Sequence, residues 1–204
     1  WGPAEAWAEL ERGNARFVAG EPTSSVDIGQ RRAMADSQSP FALIFGCSDS
    51  RVAAELVFDR GLGELFVIRT AGHVVDSGVL ASVEYGVGVL KVPLVVVIGH
   101  DSCGAVSATI DALDSGLVPT GFLRDLVERV TPSVLNARRL GADDVDGVEA
   151  EHVRQTMWQA MRAARGESPA ADRSPSSDLV HAGEQLARWA AREHPGRSTG
   201  GIGI

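Results

Sequence analysis

The stretch ELFVIRTAGHVVDSGVLASVEYGVGVLKVPLVVVI, residues 64–98, decides the fold class. It opens on the run Glu64-Leu-Phe-Val-Ile68 and closes on Leu94-Val-Val-Val-Ile98. Both runs are short and rich in branched and aromatic residues, the pattern of a strand covered on both faces. Between them Val79, Leu80, Val83, Gly86, Val87 and Leu90 recur at steps of three and four, which marks a helix packed along one side. Strand, helix, strand in that order makes a right-handed crossover between parallel strands. Upstream, Phe41-Ala-Leu-Ile-Phe45 is a third buried run and ends at Gly46. The expected fold class is therefore α/β, a mostly parallel central β-sheet flanked by helices. Ligands of such sheets gather beyond the carboxyl ends of the strands. Both cysteines of the chain, Cys47 and Cys103, stand just there.

Further out, Pro3 to Val18 has loosely helical spacing with a weak point at Gly13, read as an N-terminal helix pair or arm. Gly20 to Gln30 is a polar surface connection. Helices are expected from Gly104 to Leu113, from Phe122 to Leu140 with a break or kink at Pro132, and from Val148 to Arg165. Residues 1–165 form one domain with its helical arm. Residues 166–204 are expected to form an atypical, partly disordered tail: Gly166 to Ser177 has linker composition, Leu179 to Glu193 reads as one amphipathic helix, and the end is rich in glycine.

The 204 residues suit one core, and 44% hydrophobic with 23% charged residues is an ordinary globular composition. A formal net charge of −8 argues against nucleic acid as a partner. The longest strongly apolar run, Val92 to Gly99, is far short of the roughly 20 residues that span a bilayer. Residues Trp1 to Leu10 lack the basic start of a signal peptide, and two cysteines make no disulfide framework, so the expected location is the reducing cytoplasm.

Two segments carry chemistry, each directly after a buried run: Cys47-Ser-Asp-Ser-Arg51 and Gly99-His-Asp-Ser-Cys-Gly104. Neighbouring parallel strands would bring Cys47, His100 and Cys103 together. Two thiolates and one imidazole make a zinc shell with its fourth position open, and soft sulfur ligands favour zinc over magnesium or calcium. His100 and Cys103 can share one helical face. The plainer readings are buried small hydrophobes for the cysteines and a surface ion pair for Asp49 and Arg51. Other motifs fail. Gly99 to Gly104 opens like a phosphate-binding loop, but Ala105 and Val106 stand where Lys and Ser/Thr are required. A Cys/His hydrolase would leave Cys103 without a role.

CSDSR at Cys47 to Arg51, RTAGH at Arg69 to His73, SVEYGV at Ser82 to Val87 and VIGHDSCGA at Val97 to Ala105 resemble the β-class carbonic anhydrases, a likeness that runs from about Ala6 to Thr156. The resemblance implies zinc (Zn²⁺) held by Cys47, His100 and Cys103, with hydroxide or Asp49 in the fourth position. It implies that Arg51 keeps Asp49 charged and turned from the metal. The reaction implied is reversible hydration of carbon dioxide to bicarbonate and a proton. Carbonyl sulfide or carbon disulfide hydrolysis, and a zinc-stabilised oligomer with little activity, stand as alternatives. By family position Gln38 would offer an amide hydrogen to substrate, while Phe66 and Tyr85 would wall the pocket across the interface of a homodimer or homotetramer. Plainer readings are core packing for Phe66 and Tyr85 and solvent exposure for Gln38. Ile44 stands where family members regulated by bicarbonate carry an aromatic, so that regulation is expected to be absent. The family's closing strand pattern is missing after Met157. His73, His152, His181 and His194 are read as surface or capped residues without a role, and Asp143 to Asp146 as a solvated loop. Gly46, Gly72, Gly99 and Gly104 are read as turn or close-approach positions.

Overall fold

The computed structural model describes residues 1–24, 29, 32 and 34–167. The three apolar runs become strands β1 (Ala42–Cys47), β2 (Leu65–Thr70) and β3 (Val95–Ile98), paired in parallel in the order β2-β1-β3. Around them lie helices α1 (Pro3–Ala19), α2 (Ala54–Val57), α3 (Ser77–Gly88), α4 (Gly104–Ser115), α5 (Phe122–Arg139) and α6 (Val145–Ala164).

Every residue of β1 is buried, because the strand has a neighbour on each edge and a layer on each face. The two-residue period divides its side chains. Ala42 and Ile44 join Ala6, Leu10, Val57 and Phe58 of the α1–α2 layer, whereas Leu43 and Phe45 join Val79, Val83, Ala160 and Ala163 of α3 and α6. Pairing puts Gly46 opposite Arg69 and Ile98, and a Cβ on Gly46 would fall 2.7 Å from Ile98 Cγ1. Strand β2 departs from the expected two-sided burial. All six of its residues are only half-buried, because it forms the edge of the sheet.

The N-terminal segment is one helix and not a pair. Pro3 supplies a ready-made first-turn φ, Gly20 ends α1 in the left-handed region at φ 73°, and Gly13 lies inside without a break. Gly13 is a packing residue: a Cβ there would lie 1.8 Å from the carbonyl oxygen of Phe58, where α1 crosses the end of α2. Nearby, Asn14 Nδ2 donates to Val57 O at 3.0 Å, and Asp59 accepts from Arg16 Nε at 2.5 Å and from the Ser24 backbone at 2.8 Å. Gly13→Ala is expected to cost about 3 kcal/mol through forced separation of the two helices, read as a lower urea midpoint at unchanged slope.

Of the break or kink expected at Pro132, the break does not occur: helix α5 continues through it. Packing against α4 and α6 holds it, and Pro132 removes one internal hydrogen bond without ending the element. The tail expected from residue 166 lies, from residue 168 onward, outside the described residues. No helix among the described residues is long and apolar enough to cross a membrane.

Candidate metal centre

Parallel pairing places the carboxyl ends of all three strands on one side. Cys47 is the last residue of β1, one position beyond the expected strand end. His100 lies two residues past β3, and Cys103 caps the start of α4. His100 and Cys103 therefore do not share a helical face, as the sequence suggested; a tight loop with Ser102 at φ 56° brings them together. Gly99 makes room for that loop, since a Cβ there would lie 2.5 Å from Val153 Cγ2. Gly104 meets open space and carries no such constraint.

One ligand atom from each of Cys47, His100 and Cys103 lies within 4.8 Å of the others, and all three residues are buried. Both cysteines are free thiols. His100 Nδ1 lies 3.0 Å from the carbonyl oxygen of Asp101, which can only accept, so this nitrogen carries the hydrogen and Nε2 keeps its lone pair. That Nε2 is buried and has no hydrogen-bond partner. The donor on one side of the ring and the bare acceptor on the other form the arrangement that metal-binding histidines use.

The sulfurs say the same. Hydrogen bonding from Cys103 pulls the Cys47 thiol down to about 3 against the opposing effect of burial, helped by His100 and the backbone amides of Asp49 and Gly72. The Cys103 thiol is pushed up, first by its bond to Cys47 and then by burial. Protein alone thus supports one negative charge on two adjacent sulfurs, and ionising the second calls for a cation. The residues fit a metal with soft ligands.

Asp49 and Arg51 form the expected pair beside this set. Arg51 Nε and Nη2 donate to the two carboxylate oxygens at 2.9 and 2.8 Å, and the Arg51 amide adds a third bond at 2.9 Å. The guanidinium holds the Asp49 carboxyl well below the usual carboxylate range. Arg51 also reaches Ser102 O at 3.4 Å, linking the two ligand loops, and Asp49 Oδ2 stands 4.0 Å from His100 Nε2. Gln38 is exposed in the coil before β1. Phe66 on β2 and Tyr85 on α3 face each other at 6.1 Å, and Tyr85 is 45% exposed, so the chain's own core does not account for it.

Several supports went unread in the sequence. Arg69, at the end of β2, donates to Cys47 O at 2.9 Å and to Asp49 O at 2.5 Å, fixing the backbone of the first ligand loop. Asp144 caps α6, Asp146 lies within it, and Asp146 Oδ1 accepts from the Ser102 amide at 2.9 Å, so residues 143–146 are not merely a solvated loop. His73 and His152 are buried and not at the surface; they stack at 4.3 Å. The signal for this was the i, i+3, i+7 spacing of Glu149, His152 and Thr156, which all face inward on α6. His181 and His194 lie outside the described residues.

Residues 42–173 match the family model described as carbonic anhydrase. The chain is 60% identical over 158 residues to the carbonic anhydrase of Mycolicibacterium smegmatis, covering 77% of each chain. It is 57% identical over 156 residues to carbonic anhydrase 2 of Mycobacterium tuberculosis, covering 76% of this chain and 75% of that relative. Among solved structures it is similar to the β-carbonic anhydrase CcaA, with 25% identity and a TM-score of 0.57 over 78% of this chain and 82% of that one. The fold likewise resembles a tetrameric β-carbonic anhydrase of Sordaria macrospora, at 24% identity and a TM-score of 0.55 over 81% and 78% of the two chains.

Proposed function

The chain belongs to the carbonic anhydrases, in their β class, and from that membership we propose that Cys47, His100 and Cys103 hold one zinc ion while Asp49 and Arg51 organise the reacting groups beside it. The protein is an enzyme for the reversible hydration of carbon dioxide to bicarbonate and a proton. The observation that carries the metal assignment is the convergence of three buried ligand atoms within 4.8 Å, one of them the unpartnered His100 Nε2. Zinc held there supplies a Lewis acid that brings the pKa of water near 7, so that a nucleophile exists at neutral pH.

The chain's own residues do the rest. Asp49 is ionised and acceptor-only, so it takes a hydrogen bond from the attacking oxygen and turns a lone pair toward the carbon of carbon dioxide. Arg51 occupies both Asp49 oxygens and keeps the carboxylate from swinging toward the sulfurs. Arg69 holds the backbone of Cys47 and Asp49, so the acceptor stays in register with the ligand set. Carbon dioxide carries no charge and suits an apolar wall. Phe66 and the exposed Tyr85 supply that wall when a second copy of the chain covers the β2 edge, and Gln38 offers its amide to a substrate oxygen. A homodimer or homotetramer is therefore the proposed assembly, and two free thiols suit a reducing cytoplasm.

Metal analysis of the purified full chain together with stopped-flow hydration of carbon dioxide tests the assignment. About one zinc per chain and hydration that is lost on chelation and restored by zinc are expected. A folded, active protein without transition metal would overturn it.

A further inference from the structure

Behind the ligand set runs a buried string of hydrogen bonds with no part in the reaction. Its centre is Gly72, whose φ of +58° lies in the left-handed region and whose Cβ, if present, would fall 2.6 Å from Ala105 Cβ. The backbone there is pressed against α4. The Gly72 N–H donates to Cys47 Sγ at 3.2 Å, and its carbonyl is 2.7 Å from His152 Nε2. A carbonyl only accepts, so Nε2 carries the hydrogen. Burial, with the nearby His73, pulls the His152 pKa down to about 4, so the ring is neutral and its Nδ1 must accept. The Ser133 hydroxyl lies 2.7 Å from Nδ1 and 3.1 Å from Gln155 Oε1; its one hydrogen goes to Nδ1, the nearer acceptor and one with no other donor among the described residues.

All three bonds therefore point the same way: Ser133 to His152, His152 to Gly72, Gly72 to sulfur. The Gly72 N–H and the Gly72 carbonyl belong to successive peptide groups joined at the glycine Cα, so His152 acts on that N–H by fixing the backbone that aims it at the sulfur. The ring is held in place by its stack on His73. His73 Nε2 lies 2.8 Å from Glu149 Oε1, and the same oxygen accepts from the His100 amide at 3.3 Å. We infer that Ser133 and His152 form a positioning relay which holds Gly72 in place so that its N–H stays aimed at Cys47 Sγ, orienting the thiolate and setting how much electron density it gives the metal. The inference rests on the reading that Cys47 is a metal ligand, and it concerns residues that touch neither substrate nor metal.

The test uses the full chain loaded with cobalt(II), read by its near-ultraviolet thiolate-to-cobalt charge-transfer band, and with zinc, read by chelator competition. His152→Phe keeps the stacked ring and removes both hydrogen bonds. With the Gly72 N–H no longer held on the sulfur, Cys47 is more electron-rich but less firmly oriented, so the band should move to longer wavelength while the loosened ligand lowers zinc affinity about 10- to 100-fold. His152→Gln, which can return an N–H to the Gly72 carbonyl, should restore most of both. A purely structural role would lower thermal stability without moving the band. Should His152→Phe not fold, Ser133→Ala decides, since it removes only the outer donor: a smaller shift to longer wavelength supports the relay and an unmoved band overturns it. A folded His152→Phe with the parent band and affinity overturns the relay alone. A parent chain that shows no charge-transfer band overturns the metal reading, and the relay with it.

Discussion

Cys103→Ala is expected to strip the protein of zinc and to lower carbon dioxide hydration by about 10³-fold or more, to near the uncatalysed rate. The size of the effect follows from what remains. Zinc sites in enzymes use three protein ligands, and removal of Cys103 leaves one thiolate and one imidazole. The charge balance goes as well, because the two sulfurs together neutralise a divalent cation and one does not. The fold should survive. Cys103 packs with Val106, Val130 and Val134, and loss of one sulfur from such a cluster costs about 1 kcal/mol. It also frees Cys47 from a neighbour whose thiol is pushed far up by that proximity. Metal content by mass spectrometry, circular dichroism and stopped-flow assay read the three consequences separately. A folded Cys103→Ala protein that retains one zinc per chain and most of its activity would remove Cys103 from the site.

What the sequence made legible here is what periodicity and strand order encode. Short continuous apolar runs at the three strands, and a helical period between β2 and β3, sufficed for a parallel sheet. Parallel strands then forced Cys47 and the His100 loop to the same end. The supports around the site obey other rules. His73 and Glu149 meet across 76 positions of chain, and nothing beside His73 in the sequence marks it as buried and paired. Arg69 ends an apolar strand, and its partners are backbone oxygens, which carry no side-chain signature. Gly13 weakens an isolated helix, yet its missing side chain is what lets α1 approach Phe58. Pro132 likewise obeys local propensity only where packing does not outweigh it. The half-burial of β2 and the exposed Tyr85 concern a sheet edge that the chain itself leaves partly open, and no short-range pattern in the sequence marks it.

Asp49→Ala separates binding the metal from using it. Asp49 is not among the three converging ligand atoms, and its nearer oxygen stands 4.0 Å from His100 Nε2, so the variant should keep about one zinc per chain. Activity is a different matter. In the proposed role the carboxylate accepts a hydrogen bond from the attacking oxygen, and loss of such a positioned acceptor is worth about 10²- to 10³-fold in kcat/KM. Arg51 would also lose its partner. Its side chain is 58% exposed, so the freed guanidinium finds water without a large folding penalty, and thermal stability should change little. Asp49→Asn sharpens the comparison, because an amide keeps the shape and one acceptor oxygen while adding a donor that points the reacting oxygen the wrong way. It should be as impaired as the alanine variant, although it fills the same space. Stopped-flow hydration and zinc analysis on the same preparations decide the matter. Full activity in a zinc-loaded Asp49→Ala protein would mean that the Asp49–Arg51 pair only braces the loop between β1 and α2.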